Sequence, residues 1–199
     1  MTLLHDRTFL AEIKLDGANI IFFDTHPYGK RFDTQKSLIT VPSGPDTSGG
    51  DLASYHASSG ESPQYAYFIG HDDYTYTIQF RGGKHHGQYL GTDGKGAHAL
   101  GAFPERGSNT TSFILYDSDL NVVTIEDINP MHDTLYMQLH QGAFIKKQLI
   151  DSKMYSYSGQ WGTLIKLNLN IVKRGHESLD NYYKILSTGQ FVRKPNATW

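Results

Sequence analysis

A short pattern recurs along this 199-residue chain: an aromatic residue, a glycine about six residues later, and then an apolar residue with basic neighbours. The copies are Tyr136 to Gly142, Tyr183 to Gly189, the shorter Tyr89 to Gly94, and the faint Phe23 to Gly29. Gly94, Gly142 and Gly189 follow one another at spacings of 48 and 47 residues. A fixed period of this length is typical of folds built from repeated units, so it constrains the architecture more than any single residue.

Segments with the two-residue periodicity of β-strands lie between these copies. Tyr74, Tyr76, Ile78 and Phe80 alternate with polar residues, and segment 164–172 alternates in the same way. Aromatic residues make up 13% of the chain, and its 20 glycines provide many turns, which favours β-structure. Strands are also predicted at 9–15, 19–23, 65–69, 112–116 and 121–126, and Asp16-Gly17 is predicted to join the first two in a β-hairpin.

The repeated units predict an all-β fold. Two strands and a hairpin cannot bury an apolar face alone, whereas three such units close into a barrel with a hairpin cap. A β-sandwich is the alternative architecture. We expect residues 1–41 to form an N-terminal β-hairpin region, and 42–63, rich in Pro, Gly and Ser, to form an exposed loop or linker. Residues 64–199 would form the repeated body, in one compact domain with the N-terminal strands.

One local string resembles a known superfamily. Residues 86–94 contain Gly-x-Tyr-Leu followed by a small polar turn, and residues 113–116 and 123–126 look like later strands of the same unit. This resembles the repeats of fascin-like and hisactophilin-like β-trefoil proteins over about residues 55–199, and it implies a β-trefoil-like barrel. The Gln-x-Trp signature of ricin-type lectin repeats is absent, because Gln160 and Trp161 are adjacent. The resemblance therefore transfers no site residues.

Composition excludes several functional classes. The net charge of −2 gives no general attraction for nucleic acid or an anionic membrane, and the apolar run 20–23 is too short for membrane insertion. The chain has no cysteine, which excludes disulfides and cysteine-ligated metals. No signal peptide is visible, which is compatible with the cytoplasm or with release by a non-classical route. No cofactor is predicted.

Histidines and carboxylates give only weak signals for chemistry. His71 with Asp72 and Asp73, the pair at 85–86, and the pair at 132–133 could each begin a metal site, but all lie in predicted turns and none has helical spacing. No metal site is predicted. Neither a Gly-x-Ser-x-Gly elbow nor a His-Glu-x-x-His motif occurs, so no catalytic residue is predicted and a non-catalytic protein is favoured.

The best binding candidate is segment 154–162, which places two tyrosines and a tryptophan among small flexible residues. Sugar rings pack on aromatic faces while polar neighbours bind their hydroxyl groups. The ligand-binding residues predicted on this basis are Trp161, Tyr157, Tyr155, His71, Asp72, His86 and Asp93. The alternative is that Tyr155 and Tyr157 face the core and that Trp161 fills the barrel.

Three functions remain open from the sequence. The leading hypothesis is a carbohydrate-binding, lectin-like protein for glycans or glycoproteins, with avidity from repeated sites or an oligomer. The second is a protein-interaction module, such as an inhibitor or a toxin or virulence component, that contacts a protein partner through residues 42–63 and 154–162. The third is a hydrolase acting on glycans.

Overall fold

The computed structural model describes residues 4–22, 39–42, 63–92, 99–107, 110–129, 131–140, 142–151, 154–159 and 161–175. Within these ranges a 3-10 turn at His5–Arg7 precedes β-strands, and there is no α-helix. The strands are β1 (Phe9–Leu15), β2 (Ala18–Asn19), β3 (Ile21–Phe22), β4 (Ile39–Pro42), β5 (Gln64–Gly70), β6 (Tyr76–Arg81), β7 (Tyr89–Thr92), β8 (Leu100–Phe103), β9 (Ser112–Tyr116), β10 (Val122–Val123), β11 (Met131–Leu139), β12 (Lys146–Asp151), β13 (Met154–Ser158), β14 (Thr163–Leu164) and β15 (Leu167–Arg174). The all-β prediction is confirmed.

Six strands form a closed antiparallel barrel in the order β1, β5, β6, β9, β11 and β15. Closure comes from pairing between the first and last of them, in which Phe9 lies opposite Arg174 and Leu15 lies opposite Leu167. A closed sheet leaves no barrel edge unpaired. The architecture is therefore a barrel, and the β-sandwich alternative is wrong.

The core lies inside the barrel, where alternate side chains point inward. Phe9 stacks on Phe68 with ring centroids 4.6 Å apart, and the Tyr76 ring meets Phe9 edge-on at 5.7 Å. All three side chains are buried. Burial of one such side chain stabilises the fold by about 1.5–3 kcal/mol, so these rings hold the barrel strands together. The opposite face of β1 and β5 carries a separate apolar cluster that includes Leu10 and Ile69.

Between consecutive barrel strands the chain makes three antiparallel strand pairs, which we call the cap. These pairs are β3–β4, between β1 and β5; β7–β8, between β6 and β9; and β12–β13, between β11 and β15. The pairs contact one another, because β4 pairs with β13 and Ala99 bridges to Ser158. Leu90, Leu100 and Tyr157 pack in the same core cluster as the barrel side chains, so the cap covers one end of the barrel.

The other end of the barrel is covered by residues 124–129. Ile125 and Ile128 are buried, and the Arg174 guanidinium donates to both of their carbonyl oxygens, at 2.8 Å to that of Ile128. The Ile125 N–H donates to the Tyr76 hydroxyl at 3.0 Å, and burial raises the pKa of Tyr76 to about 12. This segment therefore ties the start of β6 to the end of β15.

The strand predicted at 121–126 is shorter in the structure. Only Val122–Val123 forms a strand, and a turn follows it. The Asp127 carboxylate accepts hydrogen bonds from the Thr124 N–H and hydroxyl at 2.8 and 3.0 Å. Such local side-chain bonds satisfy the backbone without a strand partner, and this ends β10 early.

The repeat pattern seen in the sequence does not mark equivalent places. Tyr89 begins cap strand β7, whereas Tyr136 lies inside barrel strand β11. Gly142 lies in the turn after β11, where its N–H donates to the Leu139 carbonyl at 3.0 Å. Gly94 and the copies at 183–189 and 23–29 lie outside the described residues. Of the predicted loop 42–63, only Pro42 and Pro63 are described.

The described part of the chain contains no helix long and apolar enough to cross a bilayer.

Candidate functional site

The structure separates the residues predicted to bind a ligand. His71 and Asp72 follow β5, His86 lies in the turn between β6 and β7, and Trp161 lies between β13 and β14. The six residues of β6, which span about 20 Å, lie between His71 and His86. These residues therefore do not form one site. Asp93 lies outside the described residues.

The histidine pair at the end of β6 organises a turn. The exposed His86 accepts a hydrogen bond at Nδ1 from the Gly82 N–H at 2.9 Å. His85 is buried against Phe22, with ring centroids 3.9 Å apart, and its Nδ1 lies 2.9 Å from the Gln88 side-chain oxygen. Both rings are thus engaged by their own turn or by the core.

The aromatic segment is divided between core and surface. Tyr157 is completely buried, so its ring offers no face to a ligand at the surface, as the core-facing alternative predicted. Tyr155 pairs with Leu149 along the backbone, and its side chain lies outside what the structure describes. Trp161, in contrast, does not fill the barrel. It is 70% exposed, the most exposed large hydrophobic side chain of the described residues.

The backbone that follows Trp161 is anchored to β12 and the core. Gly162 has a φ of +113° and approaches β12 so closely that a Cβ there would lie 1.9 Å from the Lys147 carbonyl oxygen. A few residues later, Ile165 is fully buried, and its N–H donates to the Ile145 carbonyl at 3.4 Å. Thr163 pairs with Lys147 in the β12–β14 register. The indole is therefore exposed on a segment that the sheet holds in place.

The backbone beside Trp161 packs on β12, next to the β1–β2 turn. Gly162 lies against the backbone of Lys147 and Gln148, and Leu149, the next residue of β12, is 51% exposed. The Lys147 ammonium forms an ion pair with Asp16 in the β1–β2 turn. The other Asp16 carboxylate oxygen accepts from the Lys166 N–H at 2.9 Å. We call this set the Trp161 surface: Trp161, Gly162, Thr163, Lys147, Gln148, Leu149, Asp16 and Lys166.

A second polar cluster lies on the outer side of β6. His71 is 3% exposed, and its Nε2 lies 2.9 Å from the Thr77 hydroxyl. Arg106 Nη2 lies 3.2 Å from the same nitrogen and donates to Thr77 at 3.0 Å. Because a guanidinium only donates, Nε2 must be an acceptor, and the neutral ring carries its proton on Nδ1. Burial, and then the Arg106 charge, lower the pKa of His71, which keeps it neutral.

Asp73 belongs to the turn beside this cluster. Burial opposes its ionisation, but hydrogen bonds from the Thr75 hydroxyl at 2.6 Å and N–H at 3.3 Å outweigh this and lower the pKa of Asp73. The His140 ring also favours the charged carboxylate. Across the described residues, no group of three or more histidines and carboxylates is arranged to hold a metal ion.

The two clusters differ in what they can do chemically. Thr77 is 1% exposed, so a substrate cannot reach its hydroxyl group. The cluster of His71, Thr77 and Arg106 instead joins turn 71–75 and loop 104–107 to β6. An apolar void of about 10 Å³ between barrel and cap is too small for a sugar ring. The Trp161 surface presents an open aromatic face beside hydrogen-bonding groups, which suits ligand binding.

Sequence reasoning missed most residues of the Trp161 surface. Lys147 was visible only as one of the basic residues that follow the Tyr136 copy of the repeated pattern, and Asp16 only as a turn residue. The glycine that follows Trp161 was the available signal, because a glycine beside an exposed aromatic marks a close approach of the backbone. Comparison with family models, with curated proteins and with solved structures found no significant match to this chain.

Proposed function

We propose that this protein is a β-trefoil module that binds carbohydrate through the Trp161 surface and does no catalysis. The fold part of the proposal is supported by the order of the strands along the chain. Each of three successive stretches contributes one barrel strand, one antiparallel pair of the cap, and a second barrel strand. An experimental structure in which the three stretches superpose by threefold rotation tests the fold.

The observation that carries the binding proposal is the 70% exposed Trp161 on an anchored backbone. A preorganised ring loses little conformational freedom when a ligand packs on it. A sugar ring presents an apolar face to such an indole, and its hydroxyl groups would meet the polar side chain of Thr163, two residues along the chain. A surface site of this kind has low affinity per copy, so millimolar binding is the expected range.

The test compares Trp161→Ala with a matched variant of a second exposed aromatic residue. Tyr74 is 53% exposed and packs under Arg7, with the guanidinium 4.6 Å from the ring centroid, far from the Trp161 surface in the fold. A glycan array, followed by titration of the hits, should show binding by the wild type and Tyr74→Ala. Trp161→Ala should lose that binding while keeping its thermal unfolding midpoint.

Two results count against the proposal. Absence of any sugar binding by the wild type at millimolar concentration removes carbohydrate as the ligand. Binding that survives in a folded Trp161→Ala moves the site away from this surface.

A protein partner is the second candidate, and Leu149 favours it. Its side chain is 51% exposed on β12, the strand that Gly162 contacts, and aliphatic side chains add contact area to protein interfaces more than to sugar sites. Leu149→Ser discriminates between the two. It should leave sugar affinity within about twofold of the wild type, because stacking needs only the indole. A protein interface should weaken with both Leu149→Ser and Trp161→Ala.

A further inference from the structure

The outer side of β9, β10 and β11 carries a group of neighbouring apolar side chains. Val122 lies opposite Tyr116 in the β9–β10 register, and Tyr136 lies opposite Tyr116 on its other side. Residues directly opposite in antiparallel strands share one face of the sheet, with Cβ atoms about 4.5–5.5 Å apart. The Tyr116 ring also contacts the Phe144 ring, at a centroid distance of 5.0 Å. We call these four residues, with Leu120 of the turn that joins β9 to β10, the Tyr116 surface.

Water reaches a large part of the Tyr116 surface. Leu120 is 51% exposed, Val122 is 48% exposed, and the three aromatic side chains are half-buried. Single exposed apolar side chains are common on proteins, whereas a contiguous group of them marks a site of interaction. Aromatic residues are enriched in protein interfaces, so the composition of this surface suits a protein partner.

Leu120 has a strained backbone at an exposed position. Its φ is +63°, a conformation in which the Cβ of an L-residue lies too close to the following carbonyl oxygen. Its N–H donates to the Asp117 carbonyl at 3.2 Å, which closes a turn where glycine or asparagine usually takes the next left-handed position. An exposed leucine that keeps this strain indicates a role other than local stability.

The charges on this side of the barrel are acidic. Strands β9, β10 and β11 lie within residues 107–145, which contain five carboxylates and no lysine or arginine. The Arg174 guanidinium, which binds carbonyl oxygens of segment 124–129, offsets one of these charges. The four carboxylates that follow Tyr116 most closely are those of Asp117, Asp119, Glu126 and Asp127. This side therefore attracts cationic groups and repels anionic ones.

The Asp117 carboxylate is fixed beside Leu120. It accepts a hydrogen bond at 2.8 Å from the Asn121 N–H, which belongs to the peptide bond that follows Leu120. The Asn121 side chain donates a second hydrogen bond at 3.0 Å. These bonds lower the pKa of Asp117 and keep its carboxylate charged. The strained leucine is thus flanked by a fixed negative charge.

From these observations we infer that the Tyr116 surface binds a protein segment in which apolar side chains lie between lysines or arginines. The apolar side chains pack on Leu120, Val122 and Tyr116, and the cationic groups face the carboxylates of the turn. A second copy of this chain is disfavoured, because a twofold interface would bring the same carboxylates together. An anionic membrane is disfavoured by the same repulsion. The inference is independent of carbohydrate binding at the Trp161 surface.

The experiment uses the full chain and an array of short synthetic peptides, each made in three versions. One version intersperses lysine with leucine and phenylalanine, the second replaces each lysine by glutamate, and the third replaces each apolar residue by serine. Titration should show that the first version binds at least about tenfold more tightly than the other two. Salt should weaken this binding, because the screening length is about 8 Å at physiological ionic strength.

Leu120→Gly and Tyr74→Gly are a matched pair of variants. The two residues have similar φ values of +63° and +62°, and they are similarly exposed, at 51% and 53%. Leu120→Gly should weaken binding of the lysine version by about tenfold. It should not lower the thermal unfolding midpoint, because relief of strain offsets the freedom that glycine adds to the unfolded chain. Tyr74→Gly should leave peptide binding unchanged.

A second pair of variants tests the charges. Asp119→Asn removes the carboxylate next to Leu120 in the chain and should weaken binding of the lysine version by about twofold to threefold at low salt. Glu105→Gln removes one exposed carboxylate after β8 and should leave the affinity unchanged. Equal losses in the two variants would show a general attraction by net charge and overturn the inference.

Other outcomes also overturn the inference. These are equal affinity for the lysine and glutamate versions, absence of binding, and unchanged affinity in a folded Leu120→Gly. A dimer of the wild type that Leu120→Gly dissociates would assign this surface to a second copy. Binding to phosphatidylserine vesicles that Leu120→Gly abolishes would assign it to a membrane. Sugar binding should be equal in Leu120→Gly and the wild type, so failure of either proposal leaves the other standing.

Discussion

Replacement of Gly162 by alanine should displace Trp161 without removing it. The new Cβ would lie 1.9 Å from the Lys147 carbonyl oxygen, whereas such contacts essentially never fall below 3.0 Å. The two backbones must therefore separate by about 1.1 Å or more. The φ of +113° adds strain of about 1–3 kcal/mol for a residue with a side chain. Loss of the short β12–β14 pairing adds about 1–3 kcal/mol, at about 1 kcal/mol for each hydrogen bond.

Gly82→Ala separates these two contributions. Gly82 has a similar φ of +95°, and a Cβ there would meet nothing within 4 Å. Its replacement should therefore cost only the backbone strain of about 1–3 kcal/mol. Urea denaturation of both variants measures the difference, which we expect to be about 1–3 kcal/mol in favour of Gly82→Ala.

Fluorescence reports where the indole goes. The chain has two tryptophans, so Trp199→Phe leaves Trp161 as the single tryptophan, which excitation at a wavelength that tyrosine does not absorb reports alone. Gly162→Ala should change acrylamide quenching of Trp161 and weaken sugar binding, while Gly82→Ala should change neither. If the two variants have equal stability and equal quenching, the contact between Gly162 and Lys147 does not position Trp161.

Three other predictions concern the polar groups that hold the barrel. The pKa of His71 is lowered in the fold, so the unfolded chain binds the proton more tightly, and stability should fall as the pH drops below about 6.5 toward the folded pKa. Urea denaturation between pH 5 and 8 should show this fall in the free energy of unfolding. If the same pH dependence persists in His71→Gln, it does not come from His71. Tyr76→Phe leaves the Ile125 N–H without its acceptor and should cost about 1–3 kcal/mol. Because the pKa of Tyr76 is raised to about 12, the wild type should exceed Tyr76→Phe in free energy of unfolding by the full amount below about pH 10. This difference should decline as the pH rises toward 12, and a difference that does not change with pH would count against the prediction. Arg174→Ala removes the donors to two buried carbonyls and should lower the free energy of unfolding by about 1–3 kcal/mol. The free energy of unfolding of Arg174→Lys should lie between those of Arg174→Ala and the wild type. Thermal unfolding checks the order of these two variants, and equal stability of all three proteins would refute it.

Local patterns were enough to predict many of the strands. The structure has β1 at Phe9–Leu15 and β9 at Ser112–Tyr116, as the alternation predicts, and Asp16 and Gly17 form the predicted turn. Each of these depends on residues close together in the chain. The prediction for 121–126 failed because the Asp127 side chain replaces the strand partner, and hydropathy does not report such bonds.

The repeat and the candidate site depend on contacts that the sequence does not encode locally. The motif at Tyr89 and the motif at Tyr136 look alike because aromatic, glycine and basic residues suit both cap and barrel turns. Lys147 and Asp16 come together across 131 positions of the chain, through pairing that only the closed barrel creates. Trp161 could be singled out by residue type, but its charged neighbours required the fold.

Pairing of β1 with β15 also determines when this protein can become native during synthesis. The barrel stays open until Leu167–Arg174 has left the ribosome, because that strand fills the gap between β1 and β11. Until then two long strand edges are exposed, and exposed edges pair with other chains. Contacts between distant parts of a chain also form slowly. The nascent protein therefore has its greatest need for chaperones just before β15 emerges, and a product truncated before residue 167 should accumulate in inclusion bodies.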